Sequence, residues 1–117
     1  MGYGKDVRDG LREPFRALRQ ALPGVMEGYT GLHNAAMAPG ALDVKTKELI
    51  ALAVAVAKQC DGCIAAHSRG AARQGATPEE VAEALGVAIL LNGGPGTVYG
   101  PRAYQAFLEE VAPPPTS

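Results

Sequence analysis

Two cysteines and a histidine lie close together in the segment Cys60-Asp61-Gly62-Cys63-Ile64-Ala65-Ala66-His67. On one helix, positions 60, 63 and 67 fall within an arc of about 60°, so the three side chains would point the same way. Cα atoms three residues apart on a helix are roughly 5 Å apart, which suits a disulfide. His67 follows Cys63 by four residues and could exchange a proton with its thiol, directly or through a water. The pattern therefore indicates a redox-active dithiol with an imidazole as its acid–base partner.

The dipeptide Asp61-Gly62 predicts a helix start beside the two cysteines, with Asp61 as its N-cap. The helix dipole and the free N–H groups at such a start favour the thiolate, which is the nucleophilic form of cysteine. The negative charge of Asp61 opposes this effect. Proximity to His67 favours Cys63 as the activated thiol, and Cys60 is expected to be more open to an external reductant. The pattern leaves open which cysteine attacks first.

Glu48 is the candidate partner of His67, although it precedes Cys60 by twelve residues. In one straight helix that separation is about 18 Å, which is too far for contact. If the helix of Glu48 ends near Gln59 and the next helix runs back antiparallel, Glu48 lies about 16 Å from the turn and His67 about 12 Å. A buried glutamate beside the imidazole would fix its tautomer and stabilise the imidazolium, as the third member of a catalytic triad does. The predicted relay is Glu48, His67, then Cys63 or Cys60.

Proline, glycine and capping residues divide the chain into six predicted helices. Their predicted ends are Pro23, Pro39, Lys58, Gly75, Asn92 and Val111. The sharpest signals are Asp43 as an N-cap and Thr77-Pro78-Glu79-Glu80 as a capping box. The last helix is predicted from about Val98, weakened by Gly100-Pro101.

The apolar run from Leu49 to Ala57 is interpreted as helix because it is rich in alanine, a strong helix former and a weak strand former. A helix that is apolar all round is expected in the middle of the fold or in an interface. The fold class predicted is all-α: a single-domain bundle of about six helices over residues 1–112, which assembles into an oligomer. Residues 113–117 are predicted to be a loose proline-rich tail.

Length and composition exclude several classes of protein. The 117 residues suit one domain, and the 11 basic and 12 acidic side chains give a net charge of −1, with no basic stripe or run expected. Nucleic acid is therefore not expected as a partner. No apolar run approaches the roughly 20 residues of a membrane-spanning helix, and the first residues do not lead into a signal segment. Two closely spaced cysteines do not form a secreted disulfide scaffold, so the predicted location is cytoplasmic.

The spacing Glu48-x11-Cys60-x2-Cys63-x3-His67 resembles the motif of alkylhydroperoxidase D and its relatives in the carboxymuconolactone decarboxylase superfamily. The segments Lys47-Glu48-Leu49-Ile50 and Gly75-Ala76-Thr77-Pro78-Glu79-Glu80-Val81 are also similar to that family. The resemblance covers about positions 20 to 110. It implies an all-helical subunit that assembles into homotrimers or homohexamers.

The same resemblance implies a thiol peroxidase, an antioxidant oxidoreductase whose catalytic residues would be Cys60, Cys63, His67 and Glu48. Its dithiol would reduce a hydroperoxide and form a Cys60–Cys63 disulfide, without a bound cofactor or metal. A thioredoxin-like or lipoyl-dependent partner would reduce the disulfide again. The decarboxylases of the superfamily lack the cysteine pair, so its presence here favours the redox branch.

Two other functions fit the same residues. A decarboxylase-like lyase could use His67 and Glu48 as acid and base, with the thiols incidental. A non-catalytic oligomeric module could hold a structural zinc on the two cysteines, His67 and Glu48, although the usual second pair of Cys or His ligands is missing. His33 is expected to be a partly buried structural histidine. The stretch Gly93-Gly94-Pro95-Gly96 lacks the Lys and Ser/Thr of a phosphate-binding loop and is interpreted as a helix stop.

Overall fold

The computed structural model of the chain describes residues 2–112, and over this range it consists of helices without strands. The six helices are α1 Tyr3–Ala21, α2 Pro23–Met37, α3 Val44–Ala57, α4 Asp61–Arg73, α5 Pro78–Asn92 and α6 Gly94–Val111. The prediction of an all-α bundle of six helices is confirmed. The predicted tail, residues 113–117, lies outside the described residues. Within residues 2–112, no helix combines the length and the apolar character needed to cross a membrane.

The two capping predictions are confirmed at the starts of α3 and α5. The Asp43 carboxylate accepts the backbone N–H of Thr46 at 2.8 Å. Thr77 Oγ1 accepts the N–H of Glu80 at 3.1 Å, while the Glu80 carboxylate accepts the N–H of Thr77 at 2.9 Å. Each bond satisfies a donor that the first turn of a helix leaves without a backbone partner.

The start of α6 differs from the prediction, because the helix begins at Gly94 rather than near Val98. Gly93 turns the chain with a φ of 64°, a conformation that glycine adopts without strain. Pro95 is tolerated in the first turn, where its missing N–H would have had no helical acceptor. Gly96 lets α6 lie close to α5, since a Cβ atom there would come within 2.9 Å of the Ile89 Cα.

The core lies between α3, α4, α5 and α6. Its largest fully buried apolar side chains are Phe107, Leu52, Ile64, Val56 and Val81. Most of the other buried core positions are alanines, which allow the helices to approach closely. The buried half of α3 meets the prediction for an apolar helix, but Ile50 and Val54 on its other face are about half exposed.

Helices α1 and α2 lie at the edge of the bundle and meet at Leu22. Gly4 is the one buried residue of α1, and α2 has none. The start of α1 is fastened by Glu109 of α6, whose carboxylate accepts the N–H groups of Tyr3 and Gly4, each at 3.0 Å. The end of α2 is fastened by Lys47 of α3, whose ammonium donates to two carbonyl oxygens there. Hydrogen bonds thus fasten the outer end of each edge helix, and Arg8 adds an ion pair from α1 to Glu110 of α6.

Candidate active site

The antiparallel packing of α3 and α4 brings Glu48 and His67 into contact. The Oε2 atom of Glu48 lies 3.3 Å from Nδ1 of His67, and Glu48 is only 7% exposed. The turn between the helices is tight: Gln59 has a φ of 53°, and the N–H of Cys60 donates to the Ala55 carbonyl at 3.1 Å. This is the arrangement on which the prediction of a Glu48–His67 pair depended. The carboxylate can orient the ring, leaving Nε2 for proton transfer.

Gly70 makes room for this contact. A Cβ atom at position 70 would overlap the Glu48 carboxylate, so the carboxylate occupies the space that any other residue would fill. Gly70 lies three residues after His67 on α4, on the same side of the helix. A glycine inside a helix costs stability relative to alanine, by about 1 kcal/mol. Here the missing side chain lets a buried carboxylate reach the histidine.

Cys60 and Cys63 form a disulfide at the start of α4, with Cα atoms 5.3 Å apart. Cys60, with an extended backbone, is itself the N-cap of α4, and its Sγ accepts the N–H of Cys63 at 3.2 Å. The prediction of Asp61 as the N-cap is therefore wrong, since Asp61 is the first helical residue. A sulfur in the capping position receives the positive end of the helix dipole, which favours the thiolate at Cys60. The helix start also exposes Cys63 more than Cys60, contrary to the expectation that Cys60 is the more open of the two.

The charge of Asp61 is balanced by groups from both ends of the chain. The Tyr3 hydroxyl donates to Asp61 Oδ1, and the Arg102 guanidinium lies 3.3 Å from the same oxygen. Burial and the hydrogen bond to Asp61 raise the pKa of Tyr3 above its usual range. Burial alone would lower the pKa of Arg102, but its hydrogen bond to Asp61 and the negative charge there raise it. The paired carboxylate opposes a thiolate at Cys60 less than a free one would.

His33 is a site residue that sequence reasoning missed. Its ring stacks on that of His67, with centroids 6.3 Å apart and planes 22° apart. The side chain is exposed on α2 rather than partly buried in the bundle, so its interpretation as a structural histidine is wrong. Only the position of α2 relative to α4 brings the two rings together. The local sequence around His33 carries no signal for that.

A groove of about 1250 Å³ opens in front of these residues, between α1, α2 and α4. Cys60, Cys63, His67 and Glu48 line it at one place, and His33 lies opposite on α2. Six arginines also line it: Arg8, Arg12, Arg16, Arg19, Arg69 and Arg73. The four on α1 follow one helical face, so the expectation that the chain has no basic stripe is wrong. Acidic residues between them in the sequence hide the stripe.

The structure does not group the side chains proposed as zinc ligands in the way that a metal site requires. Over residues 2–112, no three histidine, cysteine, aspartate or glutamate side chains are grouped as a metal site would require. Glu48 contacts His67, and the cysteines are joined to each other.

A sequence profile of the carboxymuconolactone decarboxylase family matches residues 23–106. The chain belongs to this family. The match includes Glu48, both cysteines and His67.

Solved structures with this fold include a carboxymuconolactone decarboxylase family protein from Legionella pneumophila in its apo form. It is 43% identical, with a TM-score of 0.89, over 92% of this chain and 96% of that one. Another is a family member from Thermotoga maritima with a suggested part in an antioxidative response. It is 36% identical, with a TM-score of 0.67, over 72% of this chain and 87% of that one. An uncharacterized protein from Cupriavidus necator is 42% identical over 83% of this chain and 86% of its own length.

Proposed function

We propose that this protein is a thiol-dependent hydroperoxide reductase, an antioxidant enzyme of peroxidase type. The observation that carries the proposal is the cysteine pair at the start of α4, which lines the groove beside the Glu48–His67 contact. The site then contains the three groups of other activated nucleophiles. They are a cysteine as the nucleophile, His67 as the acid–base group and Glu48 as the carboxylate that orients the imidazole. The suggested antioxidative part of the Thermotoga maritima relative points the same way.

In the proposed reaction, two electrons pass from the dithiol to the peroxide. One thiolate attacks the terminal peroxide oxygen and the O–O bond breaks, so that the alcohol leaves with a proton and the sulfur becomes a sulfenic acid. The second thiol attacks this sulfur, releases water and closes the Cys60–Cys63 disulfide. His67 takes the thiol proton and returns it to the leaving oxygen, while Glu48 holds the ring in the required tautomer.

An external dithiol then reduces the disulfide, and we propose a thioredoxin-like or lipoyl-dependent partner for this step. Such a partner attacks one sulfur of the disulfide through a mixed disulfide. Cys63 is exposed and Cys60 half-buried, so Cys63 is the sulfur that an incoming thiolate reaches more easily. The sulfur released first is then Cys60, whose thiolate is favoured by its capping position on α4.

We also propose that the chain assembles into a homotrimer or homohexamer. Among the described residues, the edge helices carry large apolar side chains outside the groove lining that are about half exposed or more: Leu18, Leu22 and Leu32. Leu90 and Leu91 at the end of α5 are about 80% exposed. Apolar surface of this extent favours association. Light scattering is expected to give a particle of three or six chains, and a monomer at micromolar concentration would contradict the proposal.

The experiment that tests the enzymatic proposal measures loss of the two free thiols. Reduced protein receives one equivalent of cumene hydroperoxide, and the rate is compared with that of free cysteine. The capping position on α4 favours a thiolate at Cys60, and His67 lies one helical turn after Cys63. Both thiols should therefore disappear together, at least about 100-fold faster than the thiol of free cysteine. Loss at the rate of free cysteine would remove the peroxidase proposal.

A lyase of the decarboxylase kind is the second candidate, favoured by the Glu48–His67 contact, which does not involve the cysteines. It differs in one measurable respect. Activity of a lyase would survive alkylation of Cys60 and Cys63, whereas the peroxidase would lose all turnover.

A further inference from the structure

We infer that the groove binds an amphipathic anion, so that the preferred substrate is a hydroperoxide with an apolar chain and a terminal carboxylate. The inference rests on the proposed function and specifies its substrate class. It comes from the lining of the groove outside the cysteine pair and His67. Three observations carry it: the concentration of arginines, the arginines left without acidic partners, and the apolar side chains between them.

Positive charge is concentrated in this groove. Six of the chain's seven arginines line it, in a chain whose overall net charge is −1. Among the lining residues within 2–112, Glu48 is the only acidic one, and it already contacts His67. A concave surface lined by one sign of charge concentrates the field and attracts the opposite charge. The ligand class that fits is therefore an anion.

Three of these six arginines have acidic partners, and among the described residues Arg19, Arg69 and Arg73 form no ion pair; the Arg19 guanidinium lies over the Phe15 ring, 5.9 Å from its centroid. Arg8 pairs with Glu110 at 2.6 Å, Arg12 with Asp9 at 3.3 Å and Arg16 with Glu13 at 3.9 Å, each distance joining a guanidinium nitrogen to a carboxylate oxygen. Among the residues that the structure describes, none forms an ion pair with Arg69 or Arg73. Both arginines are on α4, the helix that carries the cysteines. A guanidinium binds a carboxylate through two parallel hydrogen bonds, which makes this pair the natural headgroup site.

The groove is also apolar along its length. Its apolar lining consists of Leu11 and Phe15 of α1 and Val25, Met26 and Tyr29 of α2. Phe15, Val25 and Tyr29 are 48%, 63% and 60% exposed, so these side chains offer surface that a ligand would cover. Burial of an alkyl chain contributes about 0.8 kcal/mol for each CH₂ group. Charge and apolar walls together select a molecule with both properties rather than a small inorganic anion.

The helix fixes the distance between the two ends of the ligand. Arg69 and Arg73 follow Cys63 by six and ten residues, which places their Cα atoms about 9 and 15 Å further along α4. A ligand whose carboxylate lies at these arginines would extend along the groove toward the sulfur. Its hydroperoxide group must then lie in mid-chain or beyond, about 10 Å or more from the carboxylate.

The test compares linoleic acid hydroperoxide with its methyl ester, which keeps the chain and removes the charge. With reduced wild-type protein below the micelle concentration, the acid should react about tenfold faster or more, which corresponds to about 1.4 kcal/mol. The double variant Arg69→Gln/Arg73→Gln should lose this preference. Lys5→Gln, which removes a positive charge outside the groove lining, should keep it. Cumene hydroperoxide, which is neutral, should react equally with the wild type and with Lys5→Gln, and the acid-to-ester rate ratio within each protein separates the preference from any change in basal rate.

The outcomes separate the substrate class from the chemistry. Equal rates for the acid and the ester, with both much faster than free cysteine, would overturn the inference and leave the peroxidase proposal standing. If no hydroperoxide reacts faster than with free cysteine, the peroxidase proposal fails instead. Calorimetry of oleate binding to the variant with both cysteines changed to serine then decides the inference. Binding that Arg69→Gln/Arg73→Gln abolishes supports an anion site, and absence of binding overturns it.

A second copy of the chain is the competing occupant of the groove. If the Arg69→Gln/Arg73→Gln protein changes its particle mass in light scattering while the acid–ester preference is absent in the wild type, the arginines serve an interface and the inference is overturned. An unchanged mass together with loss of the preference supports the ligand.

Discussion

Replacing either Cys60 or Cys63 by serine is expected to reduce hydroperoxide turnover to the background rate. The dithiol delivers two electrons per peroxide and returns through a disulfide, so one remaining thiol cannot complete the cycle. Serine keeps the size of cysteine and can still cap α4 through its oxygen, so the fold should be retained at position 60. The measurement is steady-state consumption of cumene hydroperoxide with thioredoxin, thioredoxin reductase and NADPH as the reducing system, because a small dithiol such as dithiothreitol can reduce a sulfenic acid directly and restore turnover with one cysteine. Full activity in either single variant would contradict the two-thiol mechanism.

The same two variants also identify the attacking cysteine. The variant that keeps the attacking thiol should lose it in one rapid turnover and form a sulfenic acid, which dimedone traps and mass spectrometry detects. The variant that lacks this thiol should react no faster than free cysteine. The structure gives each residue an advantage of its own kind. Cys60 caps the helix, whereas Cys63 is the more exposed and lies one turn before His67. The trapping experiment therefore answers a question that the fold leaves open. Equal rapid trapping in both variants would contradict a fixed division of roles.

Gly70→Ala is expected to slow peroxide reduction about 10- to 100-fold without unfolding the protein. The added methyl group would occupy the place of the Glu48 carboxylate, which is the flexible end of its side chain and can move away. His67 would then lose the contact that fixes its tautomer, and proton transfer by a positioned base contributes about 10²- to 10⁴-fold to a rate. The measurement is the single-turnover rate of thiol loss. His67→Gln provides the reference for complete loss of the imidazole.

Gly86→Ala is the matched control, because a Cβ atom at position 86 on α5 meets no atom within 4 Å. It should keep the wild-type rate and raise the free energy of unfolding by up to about 1 kcal/mol, as expected for Gly to Ala on an open helix face. The ¹⁵N spectrum of the His67 ring adds a readout of position, since the tautomer should change in Gly70→Ala and not in Gly86→Ala. A wild-type rate and spectrum in Gly70→Ala would show that the Glu48 contact does not serve the chemistry.

Features set by local sequence were predictable. The helix starts at Asp43 and Thr77 follow from side chains that satisfy free N–H groups, and both appear as expected. The contact between Glu48 and His67 was also predictable, because two helices joined by a short turn return antiparallel and the distances from the turn nearly match. These inferences need no knowledge of more distant parts of the chain.

Features that depend on distant segments were not predictable. Asp61 is balanced by Tyr3 and Arg102, which are 58 and 41 residues away in the sequence. The contact of His33 with His67 depends on where α2 lies, and α2 buries none of its own residues in the bundle. Helical spacing alone puts the four arginines of α1 on one face, but that Arg69 and Arg73 line the same groove depends on how α1 packs beside α4.

The groove wall formed by α1 and α2 is a pair of consecutive helices that hydrogen bonds attach at their two outer ends. The start of α1 is bound by Glu109, and the end of α2 is bound by Lys47. Leu22, where the two helices meet, is about half exposed. Segments with few buried contacts open at lower free-energy cost than the core. The part of α1 and α2 between these two attachments can therefore adjust to ligands of different width. Neither Glu109 nor Lys47 lines the groove, although each binds one end of a helix that does. Differences in ligand preference between relatives can therefore originate at the contacts of Glu109 and Lys47, away from any residue that touches the ligand.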